Sequence, residues 1–177
     1  MRTLRFVLLF GVLAAFVAGS AISAAAKDKF EKEVEKESEA VKLVREVQRG
    51  GYDVVTTAEL KKWLDEGREM VIVDTMPLEA SYRKHHLPGA VPFMFPIADM
   101  PVWDPKATDG RSPAEFEALL GPDKDKTIVV YCGFVKCTRS HNGAAWAVKL
   151  GYTNVYRHPG GIFAWKGAAH PMAKEAP

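Results

Sequence analysis

Cys132 and Cys137 are the only cysteines in the chain, and both fall within Thr127-Ile-Val-Val-Tyr-Cys-Gly-Phe-Val-Lys-Cys-Thr-Arg-Ser140. The apolar, β-branched run from Thr127 to Tyr131 has the composition of a buried strand, and Ser140 to Leu150 reads as a helix. A cysteine at the end of such a strand has a fixed backbone and faces the free amides of the helix start. Those amides, together with Lys136 and Arg139, supply positive potential that favours thiolate over thiol. The chemistry such a loop supports is nucleophilic attack by sulfur. Cys137 lies nearer the helix start, so activation alone leaves open which cysteine is the nucleophile. In an oxidising compartment the same pair can close into a disulfide. Cys132, Cys137 and His141, with His85 or His86, make a nominal metal set, but their spacing matches no common zinc pattern, and no metal or other cofactor is expected.

The elements around the loop predict how it is held. Val71-Ile-Val73 is continuously apolar, as in a parallel strand covered on both faces. Tyr52 to Val55 predicts a first strand, followed by a helix capped at Thr56-Thr57 with Glu59 near its start. Leu60, Trp63 and Leu64 form its buried face, and Gly67 ends it. Strands alternating with helices predict an α/β domain. From Pro92 to Pro113 the chain carries five prolines with Phe93, Phe95 and Trp103, a composition for an ordered loop, long enough to wall the site, rather than a linker. Ala114 to Leu120 predicts a short helix. Ala144, Ala145 and Val148 are the residues expected to bring the helix after the cysteines against the sheet.

The first 26 residues are set apart from this domain: Met1 to Arg5 is positive, Phe6 to Ile22 is apolar, and Ala24-Ala-Ala26 precedes Lys27. This is the pattern of a secretory signal peptide at 1–26, so a periplasmic or otherwise exported protein is expected, with membrane contact only if the segment is retained. Its removal takes away Arg2 and Arg5 and no acid, which leaves 22 basic against 22 acidic residues. With no net basic field and no basic face interleaved with aromatics, no nucleic-acid partner is expected. Residues 27–50 predict a charged amphipathic helix, with Phe30, Val34, Val41, Val44 and Val47 on a thin apolar stripe that rests on the domain or on nothing. Arg49-Gly50-Gly51 ends it. The domain itself is expected at 51–172, with a tail at 173–177.

Three stretches together resemble the rhodanese family. Met70 to Val91 contains a strand ending in Asp74, a Pro77 and Glu79 that open a short helix, and the turn His86-Leu-Pro-Gly-Ala90. The cysteine loop follows. Leu150 to Trp165 then resembles the family's closing strand, Gly-Gly turn and Trp-bearing helix. The resemblance spans about Tyr52 to Pro171 and implies a rhodanese-like α/β domain, with a central, mainly parallel five-stranded sheet, helices on both faces and the charged helix in front.

The resemblance also implies a function. In the single-domain sulfurtransferases the cysteine opens a loop that closes on Arg-Ser, and the loop amides point at its sulfur. Cys132 and Arg139-Ser140 occupy those ends, which implies Cys132 as nucleophile with Cys137 and Arg139 as further catalytic residues. Gly133, Phe134, Val135, Lys136, Thr138 and Ser140 are then the substrate-binding residues. The implied partners are a small sulfur-containing anion as donor and a thiol, protein thiol or cyanide as acceptor. Two departures stand out. Cys132 and Arg139 are farther apart than in the family's usual loop, which either admits a larger oxyanion, as in the cell-cycle phosphatases sharing the fold, or bulges. Met76 stands where the family often has an arginine. A module that binds without turnover, and a thiol–disulfide redox protein, are the alternatives.

Overall fold

The computed structural model describes residues 28–175, so the predicted signal peptide at 1–26 lies outside the described residues. The chain opens with helix α1 (Lys29–Gly50), whose Asp28 and Glu31 form a capping box and whose end is a left-handed Gly51 at φ 69°. Then follow β1 (Asp53–Val54), α2 (Thr57–Asp65), β2 (Met70–Asp74), a π-helical turn at Leu78–Tyr82, β3 (Ala90–Pro92), a 3-10 turn at Pro105–Ala107 and α3 (Pro113–Leu120). The chain continues through β4 (Thr127–Tyr131), α4 (Thr138–Lys149), β5 (Val155–His158) and α5 (Gly161–Gly167). The five strands form one sheet in the order β1-β5-β4-β2-β3, and every pairing is parallel. The expected α/β architecture is present, with a sheet parallel throughout rather than mainly so.

β4 lies in the middle and is buried along its whole length. Its alternate side chains feed two cores: Ile128 and Val130 pack with Phe93, Phe95, Phe116 and Ala144 on one face, while Val129 and Tyr131 pack with Leu60, Leu87 and Trp165 on the other. Period-2 alternation on a strand covered on both sides gives this division directly. The 92–113 segment is ordered, as its aromatics predict, with Phe93 and Phe95 fully buried.

The approach of α4 to the sheet rests on Ala144, as expected, and also on Ala147 and Gly143. Ala145 and Val148 are only half-buried, whereas Ala144 and Ala147 are fully buried. Gly143 sets the closeness, since a Cβ there would lie 2.8 Å from Val130 Cγ1. The helix also begins at Thr138, two residues before Ser140, because the loop closes directly on Cys137 as N-cap.

Of the apolar stripe of α1 only Val47 packs on the domain. Phe30, Val34, Val41 and Val44 are exposed, and the helix docks on α4 through the opposite face, with Glu46 and Gly50 buried. At the other end of the domain Ala173 pairs with His86 in an antiparallel bridge, so the start of the expected tail is tied down. Among the described residues no helix is long and apolar enough to cross a membrane.

Candidate active site

Cys132 follows the last residue of β4 and is 1% exposed. Cys137 is half-buried and N-caps α4. The two are joined in a disulfide with Cα atoms 6.5 Å apart.

Each carbonyl from Cys132 to Cys137 accepts a hydrogen bond, and nearly all the donors come from other elements. At the α5 start, Ile162 and Phe163 amides donate to the carbonyls of Cys132 at 2.9 Å and Gly133 at 3.0 Å. The Cys137 amide donates to Phe134 O at 3.0 Å within the loop. Arg157 Nη2 donates to Val135 O at 3.0 Å and Cys137 O at 2.9 Å, and Lys42 Nζ donates to Lys136 O at 2.7 Å. A trans peptide sets its N–H opposite its C=O. The amides of Gly133, Phe134, Lys136 and Thr138 therefore point away from these donors, and none meets a protein acceptor among the described residues. Four free donors in one short loop make a site for negative charge. Gly161, at φ 58°, makes the close approach possible, because a Cβ there would collide with the Cys132 carbonyl.

Arg157 is the residue that sequence reasoning missed. It stands on β5, is fully buried, and joins the loop to α1. Besides the two loop carbonyls, its Nε donates to Ser140 Oγ at 2.9 Å. Nη1 is paired with Glu46 of α1 at 2.5 Å and reaches Tyr52 Oη at 3.4 Å. Ser140 Oγ in turn lies 3.6 Å from Cys132 Sγ and 3.4 Å from Cys137 O. With its lone pairs engaged by the guanidinium, the hydroxyl proton is left for sulfur or that carbonyl. A charged residue inside an otherwise buried strand was the available signal, since such a charge must find a partner.

The expected site cations point elsewhere. Lys136 is exposed and pairs with Glu39 of α1 at 3.0 Å, so its charge is spent on docking the helix. Arg139 is half-buried on the first turn of α4 and donates to Phe95 O in the 92–113 segment; burial pushes its guanidinium pKa down. No carboxylate forms an ion pair with it among the described residues, while the nearby Asp109 favours its charged form. Thr138 Oγ1 faces Lys42 at 3.0 Å and Glu46 at 3.5 Å. Phe134 is exposed and its ring lies 5.4 Å from that of Phe163, which gives the loop mouth an aromatic rim. Val135 contributes its carbonyl to Arg157, and Gly133 sits beside Met76 Sδ, 4.0 Å from where its Cβ would be.

His86 and His141 are held within the fold. His86 stacks on Tyr82 at 4.0 Å and bonds Tyr82 O through Nδ1 at 2.8 Å. His141 is buried between Tyr52 Oη at 2.8 Å and Arg49 at 3.0 Å, and burial pushes its pKa down to about 4. Among the described residues no group of three or more acidic, His or Cys side chains is placed to hold a metal. Asp74 accepts from Tyr131 Oη at 2.6 Å and from the Met76 amide at 2.8 Å, and burial raises its pKa to about 6.

The rhodanese-like domain family matches residues 56–168. The chain belongs to the rhodanese-like domain family. No curated protein sequence matches it. Solved structures share the fold at low identity. The BH2092 protein from Bacillus halodurans is 20% identical, with a TM-score of 0.55 over 76% of this chain and 86% of that one. A thiosulfate sulfurtransferase from Pseudomonas aeruginosa is 19% identical, with a TM-score of 0.54 over 78% of this chain and 23% of that one. A polysulfide-sulfur transferase from Wolinella succinogenes is 14% identical, with a TM-score of 0.53 over 85% of this chain and 96% of that one. Two of these neighbours are named for sulfur transfer.

The pairing of Glu46 with Arg157 generates a prediction. Glu46→Ala leaves a buried guanidinium without its counter-charge, a loss of about 3–5 kcal/mol. Thermal unfolding should show that loss. The double variant Glu46→Leu with Arg157→Met should recover much of it while losing the loop geometry. Equal stability of Glu46→Ala and parent would contradict the pairing.

Proposed function

We propose that the protein is an exported sulfurtransferase that carries sulfane sulfur on Cys132. The observation that supports this most is the loop in which the carbonyls of Cys132, Gly133, Val135, Lys136 and Cys137 accept hydrogen bonds from other elements and the amides of Gly133, Phe134, Lys136 and Thr138 have no protein acceptor among the described residues. With the disulfide reduced, the Cys132 thiolate attacks the sulfane sulfur of an anionic donor. The donor's S–S bond breaks, the leaving anion is sulfite for thiosulfate or a shortened polysulfide, and Cys132 becomes a persulfide. An acceptor thiolate then attacks the outer sulfur, takes it as its own persulfide and returns the Cys132 thiolate. The free amides and the Ser140 hydroxyl stabilise the terminal sulfur anion, as donors stabilise an oxyanion. Arg139, partly buried and without a carboxylate ion pair among the described residues, attracts the anionic donor, and Phe134 with Phe163 forms the entry. Thiosulfate and polysulfide are the donor classes named for two of the structural neighbours.

The disulfide favours a second step for Cys137. Its thiolate can attack the inner sulfur of the Cys132 persulfide, expel hydrosulfide and form the Cys132–Cys137 disulfide, which an external dithiol must reduce before the next cycle. In this reading a reductant gates turnover. The rate of transfer from thiosulfate or polysulfide to a thiol acceptor tests both roles. Cys132→Ser should abolish transfer with the fold intact. Cys137→Ser should retain transfer and work without added reductant. Arg139→Ala should raise KM for the anionic donor more than it lowers kcat. Loss of transfer in Cys137→Ser with retention in Cys132→Ser would reverse the assignment of nucleophile.

Export rests on the positive start, the apolar run and the small residues before Lys27. N-terminal sequencing of protein recovered from the exported fraction should begin at Lys27. Recovery only in detergent, with Met1 in place, would replace export by anchoring.

A further inference from the structure

We propose that the outward stripe of α1 is a self-association face on which a second copy of the chain docks antiparallel. Phe30, Val34, Val41 and Val44 are 70%, 66%, 39% and 54% exposed, and the face of α1 opposite them holds Glu46, against Arg157. The stripe therefore points away from the domain. Positions 30, 34, 37, 41, 44 and 48 alternate in steps of four and three, the a/d spacing of a two-helix seam. They carry Phe, Val, Glu, Val, Val and Gln.

Charge selects the partner and its direction. Between positions 28 and 39 the helix has six acids against three lysines, and from 40 to 50 three bases against Glu46 alone. An antiparallel copy lays the acidic half of each helix along the basic half of the other. It sets Val34 against Val44 and Val41 beside Glu37 in the seam, and Glu31 opposite Arg45 at both ends. Arg45 is exposed and has no ion-pair partner among the described residues. A parallel copy instead stacks Glu37 on Glu37 in the seam, where like charges repel. An anionic lipid surface meets the acids Glu31, Glu33 and Glu37 along the stripe and is repelled.

Sedimentation equilibrium of the exported chain over a range of concentrations tests this. A concentration-dependent dimer is expected, abolished by Val41→Glu. Arg45→Glu should weaken it by about tenfold, and adding Glu31→Lys to the same chain should restore most of the loss. Ser38 flanks the seam near the two-fold axis of the antiparallel pair. Ser38→Cys should therefore form an oxidised dimer, which a parallel pair, holding the two on opposite flanks, does not allow. A monomer at all concentrations, a dimer indifferent to Val41→Glu and the charge exchange, or vesicle binding without self-association overturns the proposal.

Discussion

Burying one guanidinium under the cysteine loop constrains much of this molecule. Arg157 has no exposed atoms to speak of, so each of its donors must find an acceptor inside the protein. It finds them in Val135 O, Cys137 O, Ser140 Oγ and the Glu46 carboxylate. Those partners come from the loop, from the first turn of α4 and from α1. One side chain thus fixes the turn of the loop peptides, orients the hydroxyl nearest Cys132 and fastens a helix that precedes the domain. Charge-assisted bonds in a dry interior are strong when fully paired and costly when any partner is lost.

This arrangement connects α1 to the chemistry. Lys42 and Glu39 of that helix hold the carbonyl and the ammonium of Lys136, and Glu46 neutralises Arg157. The helix therefore acts as the outer wall of the loop. Of the cations expected at the loop, Lys136 pairs with Glu39 of α1 and Arg139 donates to Phe95 O, while the amides of Gly133, Phe134, Lys136 and Thr138 have no protein acceptor among the described residues. The disulfide closes the same loop, so Cys132 is a free thiol only when that bond is reduced.

What was legible in the sequence was local. The capping box of Thr56 and Glu59, the apolar runs of β2 and β4, and the turn His86 to Ala90 each express a short-range rule, and each stands where it was expected. The Arg157 network was not legible, because Glu46 lies 111 residues away and only the folded sheet brings them together. The periodicity of α1 left open whether its stripe meets the domain or solvent, and only the folded structure decides it. A hydrophobic stripe predicts burial only where nothing stronger competes, and here the need to neutralise Arg157 turned Glu46 inward. The direction of Arg139 depends on where α4 begins, which the widened loop shifted to Thr138.

The proposed function requires that reduced Cys132 accept sulfane sulfur. Its most direct test is intact mass and peptide mapping of the fully reduced protein, briefly exposed to thiosulfate or polysulfide and then alkylated. A gain of one sulfur atom on the peptide bearing Cys132, lost on addition of an acceptor thiol, is the predicted result. No gain, or a gain carried by Cys137 with Cys132 unmodified, would contradict it.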